Sequence, residues 1–148
     1  MHTEYNSSTM KQLRDQQVRF APRDKKLEQM DRAEQLIIEI DPGRVYSCDY
    51  LCFRITKFRP EQSPNLTVSG TEARHDLRLF VEDVSDSADI RVEDVGEPVH
   101  TVEQLGKMLN VSTKTISRWR EQGLVSRRFI FDGRKRVGFL HSSVERFV

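Results

Sequence analysis

Apolar residues recur every three or four positions along the N-terminal part of the chain, the spacing that places them on one face of an α-helix. The clearest stripe predicts a helix over 25–40, and a shorter stripe predicts a helix over 72–84 that Thr71 opens. Residues 10–20 fit a helix with a weak apolar face, which the Ala21-Pro22 pair ends. The apolar members of the stripe over 25–40 are Leu27, Met30, Ala33, Leu36, Ile37 and Ile40.

The aromatic run after the Asp-Pro-Gly turn fits two periods. Leu51, Ile55 and Phe58 are spaced for one helical face, whereas Leu51, Phe53 and Ile55 alternate as in a strand. We favour a helix, because Ser47 stands where it can cap one.

Basic residues interleave with the aromatics of this run, at Arg54, Lys57 and Arg59. That composition is also found in proteins that bind single-stranded nucleic acid. A core helix with a charged outer face is the favoured interpretation. Cations at the start of the 25–40 helix are likewise expected to be solvated: Arg23, Lys25 and Lys26.

Four regions follow from these patterns. Residues 1–22 are expected to be flexible or weakly helical, with Met1 to Thr9 disordered, and 23–93 form a helical region. Residues 94–100 form a linker, and 101–148 form a second unit. Within the helical region, the Pro-rich stretch 59–70 is predicted to be a loop.

The second unit opens with two short helices joined by a tight turn. Thr101 is an N-cap with Gln104 in the capping-box position, and Asn110 can take the left-handed conformation that ends the first helix. Gly106 is expected where the two helices approach closely. Ser112 can cap the second helix, in which Ile116 and Trp119 are predicted to face inward, Trp119 as a core residue.

This arrangement is typical of a helix-turn-helix, whose second helix lies in the DNA major groove. An ordinary helical hairpin that binds no DNA is the alternative. Lys114, Thr115 and Arg118 are the candidates for base edges or phosphates, and Thr113 and Ser117 for phosphates. The residues predicted to face outward are Thr113, Lys114, Thr115, Ser117, Arg118 and Arg120.

A β-hairpin is predicted next, because Asp132-Gly133 separates two strand-like runs. Its tip and return strand are basic, and Arg134, Lys135 and Arg136 are expected to straddle the DNA backbone. Ser142 or Ser143 then caps a last helix, within whose first turns the chain stops. Either the protein continues beyond this chain, or this helix is a stub.

The net charge of +1 conceals a division of the chain. From Pro98 onward there are ten Lys/Arg and four Asp/Glu, against fourteen and nineteen in the remainder. A basic end is expected where a protein meets phosphate, although a solvated charged face is the alternative. Residues 72–97 are the most acidic stretch, and they either screen the hairpin, dock on a basic partner, or do neither.

Length and composition exclude several classes of protein. The 148 residues fit one domain or two small ones, and no apolar run is long enough to cross a membrane. No leader sequence is visible, so we expect a cytoplasmic protein. Cys48 and Cys52, without a second pair, are predicted to be buried thiols rather than zinc ligands or a disulfide.

The sequence predicts no enzyme, no cofactor and no metal site. It contains no phosphate-binding loop, no credible pair of catalytic carboxylates and no nucleophile elbow. The histidines have no obvious partners, and they are His2, His75, His100 and His141.

Residues 98–148 resemble the winged helix-turn-helix of the MerR and excisionase group. The resemblance implies binding of double-stranded DNA by the second helix and the hairpin, or wing. Gly106 departs from the alanine usual in the group. The matching residues are Thr101, Leu105, Val111, Ser112, Thr115, Ile116, Trp119, Gly123, Leu124, Ser143 and Phe147.

The whole chain resembles the N-terminal extension of certain bacterial RNA polymerase sigma factors. Three phrases of the N-terminal part carry this resemblance: RFAPRDKKLEQMDRAEQL, YLCFRITKFRP and RHDLRLFVEDVSDSADI. The C-terminal phrase VSTKTISRWREQGLVSRRFIFDGRKRVGFLHSSVERFV carries it further. The resemblance implies a role in transcription initiation and core RNA polymerase as a partner. The chain has no recognisable aromatic promoter-melting helix.

We therefore expect a mainly α protein with a helical N-terminal region and a C-terminal winged helix-turn-helix that binds duplex DNA for transcription. Two alternatives remain. One is an excisionase-like architectural protein that bends DNA, and the other is a protein-interaction module that docks on polymerase. No long helix follows the wing, so dimerisation of the MerR kind is not predicted.

Overall fold

A computed structural model of the protein describes residues 4–59 and 66–148. Over these ranges the chain is mainly helical and carries two small antiparallel sheets, which confirms the predicted mainly α class. The helices are α1 (Ser8–Phe20), α2 (Arg23–Glu39), α3 (Cys48–Thr56), α4 (Gly70–Ala88), α5 (Val102–Leu109), α6 (Thr113–Gln122) and α7 (His141–Phe147).

The strands are short, and each sheet pairs distant parts of the chain. Strands β1 (Val45–Ser47) and β2 (Thr67–Ser69) form one sheet. The other has the order β3-β5-β4, and its strands are β3 (Val99–Thr101), β4 (Arg127–Phe131) and β5 (Arg134–Leu140).

Helix α4 is the centre of the larger hydrophobic core. Leu77, Phe80, Val81 and Val84 are fully buried along it, and they pack with the apolar stripe of α2 and with Met10 of α1. The stripes that predicted these helices are therefore the surfaces that hold them together.

Helix α4 begins and ends outside its predicted limits. Its N-cap is Ser69 rather than Thr71, because the Ser69 hydroxyl accepts from the Glu72 amide (3.1 Å) while the Glu72 carboxylate accepts from the Ser69 amide (2.9 Å). The helix runs to Ala88, beyond the predicted end at Val84, and Asp89 ends it in the left-handed conformation.

The prediction of disorder over Met1 to Thr9 is wrong for the described part of that stretch. Ser7 caps α1, and the amides of Asn6 and Ser7 both donate to the carboxylate of Asp76 on α4 at 2.8 Å. Residues 1–3 lie outside the described ranges.

Helix α3 is confirmed, and so is its cap, since the Ser47 hydroxyl accepts from the amide of Tyr50. The stretch 59–70 was predicted to be a loop, but β2 and the first residue of α4 fall within it. Residues 60–65 of that stretch are not among those described.

Cys48 and Cys52 are free and buried, as predicted. Burial raises the pKa of the Cys52 thiol to about 11, with smaller effects of the charges of Cys48 and Asp49. A thiol with a raised pKa is little ionised near neutral pH, so Cys52 is not suited to nucleophilic chemistry there.

The helix pair α5–α6 forms as its capping residues predicted. Thr101 and Gln104 make the reciprocal capping box, and Asn110 ends α5 with φ 54°. A Cβ atom at Gly106 would lie 3.0 Å from the Val111 carbonyl oxygen and 3.5 Å from Ile116 Cδ1, so the two helices approach closely here and a small residue is favoured, as predicted.

The C-terminal third shares its packing with the N-terminal helices. Val125 and Phe129 are buried in the larger core, whereas a smaller core lies under the helix pair. The predicted linker 94–100 includes two residues of β3, which pairs with β5. The buried members of the smaller core are Leu105, Ile116, Leu124, Phe139 and Val144.

The predicted serine cap of α7 is wrong. Leu140 precedes the helix without a side-chain hydrogen bond, and Ser143 is instead buried within its first turns. Ser142 lies in the helix, and its amide and hydroxyl both donate to Glu97.

None of the helices within 4–59 and 66–148 is long and apolar enough to cross a membrane.

Gly70→Ala is expected to lower the free energy of unfolding by about 1–3 kcal/mol, the usual cost of forcing atoms into a packed site. A Cβ atom at Gly70 would lie 2.0 Å from the Asp41 carbonyl oxygen, so the backbone must move. The matched control is Gly96→Ala, where no heavy atom lies within 4 Å of the added carbon. Urea unfolding of both variants measures the difference, and equal stabilities would contradict the prediction.

Candidate nucleic-acid interface

The first half of α6 presents four of the predicted DNA-binding residues to solvent: Thr113, Lys114, Ser117 and Arg118 are exposed. They face outward because the opposite side of α6 is anchored by Ile116, which is fully buried. Trp119 packs against Phe147 of α7 with their ring centroids 5.8 Å apart, so it faces inward as predicted and is partly buried against the smaller core.

Thr115 differs from its neighbours. It is half-buried, its amide donates to the Ser112 hydroxyl (3.2 Å), and its own hydroxyl lies 3.1 Å from that group. Arg118 Nη2 lies 3.5 Å from the Thr115 hydroxyl, at the limit of a hydrogen bond. Thr115 therefore holds the start of α6 together, while the Arg118 guanidinium is only loosely held.

The hairpin tip has the two-residue turn that its sequence predicted. Asp132 and Gly133 both have positive φ, 48° and 80°, which is the requirement of a type I′ turn. Arg134 and Arg136 follow on β5, two residues apart, so their side chains leave the same face of the strand. Both are exposed, and in the described part of the chain neither makes an ion pair.

Lys135 leaves the opposite face of β5 and reaches the end of α4. Its Nζ donates to the Asp86 carbonyl oxygen at 2.7 Å and lies 3.0 Å from Asp89 Oδ1. The hydrogen bond to Asp89 raises the pKa of Lys135, and the charges of Asp86 and Asp89 add to this effect. The structure thus separates Lys135 from Arg134 and Arg136, with which it was predicted to act.

Two further cations are held by α4. Arg128 Nε lies 3.4 Å from Asp86 Oδ1. Arg120 was predicted to face outward, which is wrong, because it is half-buried and forms an ion pair with Glu82. The Ser126 hydroxyl donates to the same Glu82 carboxylate at 2.6 Å and accepts from Arg120 Nε.

A buried ion pair fixes the sheet against α2. Glu34 Oε1 accepts from Arg127 Nε at 2.6 Å, and both side chains are less than a tenth exposed. Glu34 Oε2 accepts from the Ser143 hydroxyl and from Arg146 Nη2, each at 3.0 Å. This network orients β4 and α7, and through them the hairpin.

Sequence reasoning missed Glu34 and Arg127. The available signal was the position of Glu34, which shares the apolar face of α2 with Met30, Ala33 and Ile37 at helical spacing. A carboxylate on such a face requires a buried cation, although the sequence does not say which one.

His100 and His141 are partners, contrary to the prediction that the histidines have none. His100 Nε2 lies 3.0 Å from His141 Nδ1, and His141 Nε2 lies 2.7 Å from Glu145 Oε1. Burial, and secondly the His141 charge, lower the pKa of His100. His75 also has a partner, the Glu4 carbonyl oxygen, and His2 lies outside the described residues. Across the ranges that the structure describes, no three His, Cys, Asp or Glu residues are grouped to hold a metal ion.

Glu34→Ala is expected to lower the free energy of unfolding by about 3–5 kcal/mol, the cost of leaving a buried charge without its partner. Asp31→Ala is the matched control, since Asp31 pairs with the same Arg127 but is 74% exposed. We expect the control to cost at most about 1 kcal/mol. Chemical denaturation of the two variants measures both values, and similar losses would contradict a dominant role for Glu34.

Comparison of the chain with protein-family models, with curated proteins and with solved structures finds no match. The two resemblances described above therefore rest on the residues and phrases that carry them.

Proposed function

We propose that this protein binds duplex DNA through α6 and the β4–β5 hairpin, and that it acts in transcription. The observation that carries the proposal is the exposed, capped first half of α6. Its side chains project from a helix pair whose turn is built by Asn110, Val111 and Ser112, and Ile116 on its inner face is buried in the smaller core.

The dimensions and chemistry of α6 support this function. Its ten residues make a helix about 15 Å long. The major groove of DNA, about 12 Å wide, admits one α-helix. Lys114 supplies charge, and Arg118 can donate two hydrogen bonds to one guanine. Thr113 and Ser117 carry hydroxyls that suit phosphate oxygens. Thr115 contributes through the capping turn, because its hydroxyl already has partners.

The hairpin supports it through charge. Arg134 and Arg136 share one exposed face of β5, where both can contact phosphates. Such contacts position a protein on the duplex without reading its sequence. In this proposal α6 supplies the sequence preference, and the hairpin supplies much of the affinity.

A transcription role rests on the resemblance to sigma-factor extensions, and it makes core polymerase a candidate partner. A second function, docking on polymerase without DNA, is favoured by exposed apolar side chains on the N-terminal helices. Phe20 is 75% exposed and Ile38 is 52% exposed. Exposed apolar side chains mark a protein-binding surface where they form one contiguous patch.

Fluorescence anisotropy of a labelled random-sequence duplex, titrated across salt, tests the proposal. We expect binding that weakens with salt, with a log–log slope of several, because each neutralised phosphate releases about 0.9 counterion. No duplex binding at low salt would overturn the proposal. Retention on core polymerase in that case would establish the docking function.

Arg118→Ala is expected to weaken binding to a selected site by about 1–3 kcal/mol and to relax the preference at one base pair, if Arg118 reads a base. The matched control is Arg44→Ala, which removes an equally charged, exposed side chain from the N-terminal region. Competition binding between the selected and altered sites measures both effects. Unchanged affinity and preference would remove Arg118 from the reading surface.

A further inference from the structure

The C-terminal end of α4 is an acidic surface that faces the basic third of the chain. We define the α4 acidic end as Glu82, Asp86 and Asp89, which lie on or just after its last turns. Each contacts at least one cation that follows Pro98 in the sequence.

These contacts are of two kinds, one buried and one exposed to solvent. The Glu82–Arg120 pair has side chains only 16% and 12% exposed, and Ser126 completes it. Its removal from water makes it part of the packing between α4 and α6. The pairs of Asp86 and Asp89 with Arg128 and Lys135 are 38–66% exposed, so water and ions reach them.

Among the three consecutive cations that follow the hairpin turn, Arg134, Lys135 and Arg136, it is Lys135 that the acidic end of α4 holds. Its ammonium has a backbone carbonyl and two carboxylates around it, at 2.7, 3.0 and 3.7 Å. The Asp86 carbonyl oxygen and the Asp89 carboxylate lie within hydrogen-bonding distance of it, whereas the Asp86 carboxylate at 3.7 Å acts through its charge. Its neighbours Arg134 and Arg136 remain exposed on the other face of the strand. The carboxylates of Asp86 and Asp89 thus occupy Lys135 in the way that the phosphate oxygens of a bound duplex would.

We infer that Asp86 and Asp89 compete with DNA phosphates for Lys135 and Arg128, so that the acidic end of α4 moderates the affinity of the hairpin for DNA. This inference rests on the proposed duplex binding and adds an internal competitor to it. Because the pairs are exposed, each contributes little and exchanges readily. The competition therefore weakens binding by a modest factor and does not abolish it.

The test neutralises the competitor with little change of shape. Asp86→Asn/Asp89→Asn keeps the size of both side chains, and asparagine tolerates the left-handed φ of 50° at position 89. The control variant is Glu93→Gln/Asp94→Asn, which changes the charge equally. Glu93 and Asp94 lie in the short 3₁₀ helix Val92–Asp94, next to Arg91, which forms an isolated β-bridge with Ile130. Glu93 pairs with Arg91, and neither carboxylate pairs with Lys135 or Arg128.

We expect the Asp86→Asn/Asp89→Asn variant to bind the duplex about three- to tenfold more tightly than the wild type, from the usual strength of two exposed ion pairs. The control variant should change affinity less than the test variant does. An equal gain in both would show that overall charge is responsible and would overturn the inference.

Lys135→Ala supplies an independent readout, since it alters only an exposed position of the hairpin. In the wild type it should weaken binding less than Arg136→Ala does, because Lys135 is occupied. In the Asp86→Asn/Asp89→Asn background it should remove most of the gain, which is the non-additivity expected of groups in contact. Equal effects of Lys135→Ala in both backgrounds would overturn the inference.

The outcomes also separate the inference from the function on which it rests. Wild-type binding without a gain in the neutralised variant overturns the competition and leaves duplex binding intact. Wild-type binding together with a gain in the neutralised variant, and a smaller change in the control variant, supports both. Absence of binding by every variant at low salt overturns both.

Discussion

The arrangement of this protein depends on one buried carboxylate. Glu34 cannot remain charged in the interior without partners, and its two oxygens accept from Arg127, Ser143 and Arg146. These donors belong to β4 and α7, whereas Glu34 belongs to α2. Satisfying one charge therefore fixes a strand and a helix against the N-terminal bundle. The direction in which the hairpin projects follows from that attachment.

The ion pairs between the acidic N-terminal part and the basic C-terminal third differ in how deeply they are buried. The Glu34 network and the Glu82–Arg120 pair lie in packed surroundings, where they set geometry. The contacts of Asp86 and Asp89 with the hairpin lie in water, where they are weak and exchangeable. The same electrostatic attraction thus serves structure in one place and leaves a cation available to competitors in the other. Burial decides between these roles.

Features that depend on residues close together in the sequence could be predicted, whereas contacts between residues far apart in the sequence could not. The Thr101–Gln104 capping box, the left-handed Asn110 and the Asp132-Gly133 turn each depend on residues within a few positions. In contrast, Arg127 finds Glu34 across 93 positions, and β3 needs β5 to become a strand. Of the site residues on α6, the apolar period placed Thr113, Lys114, Ser117 and Arg118 on the exposed face, whereas Thr115 is half-buried in the capping turn. The position of Lys135 was not predicted correctly, because its partners come from α4.

The sharing of the larger core has a consequence for the ancestry of the chain. Phe129 lies on β4 but is buried among the residues of α2 and α4, together with Val125. A gene rearrangement that joined this C-terminal third to another N-terminal region would expose both side chains. It would also leave the buried Arg127 without the carboxylate of Glu34. Exchange of either part for an unrelated one would therefore disrupt the shared core.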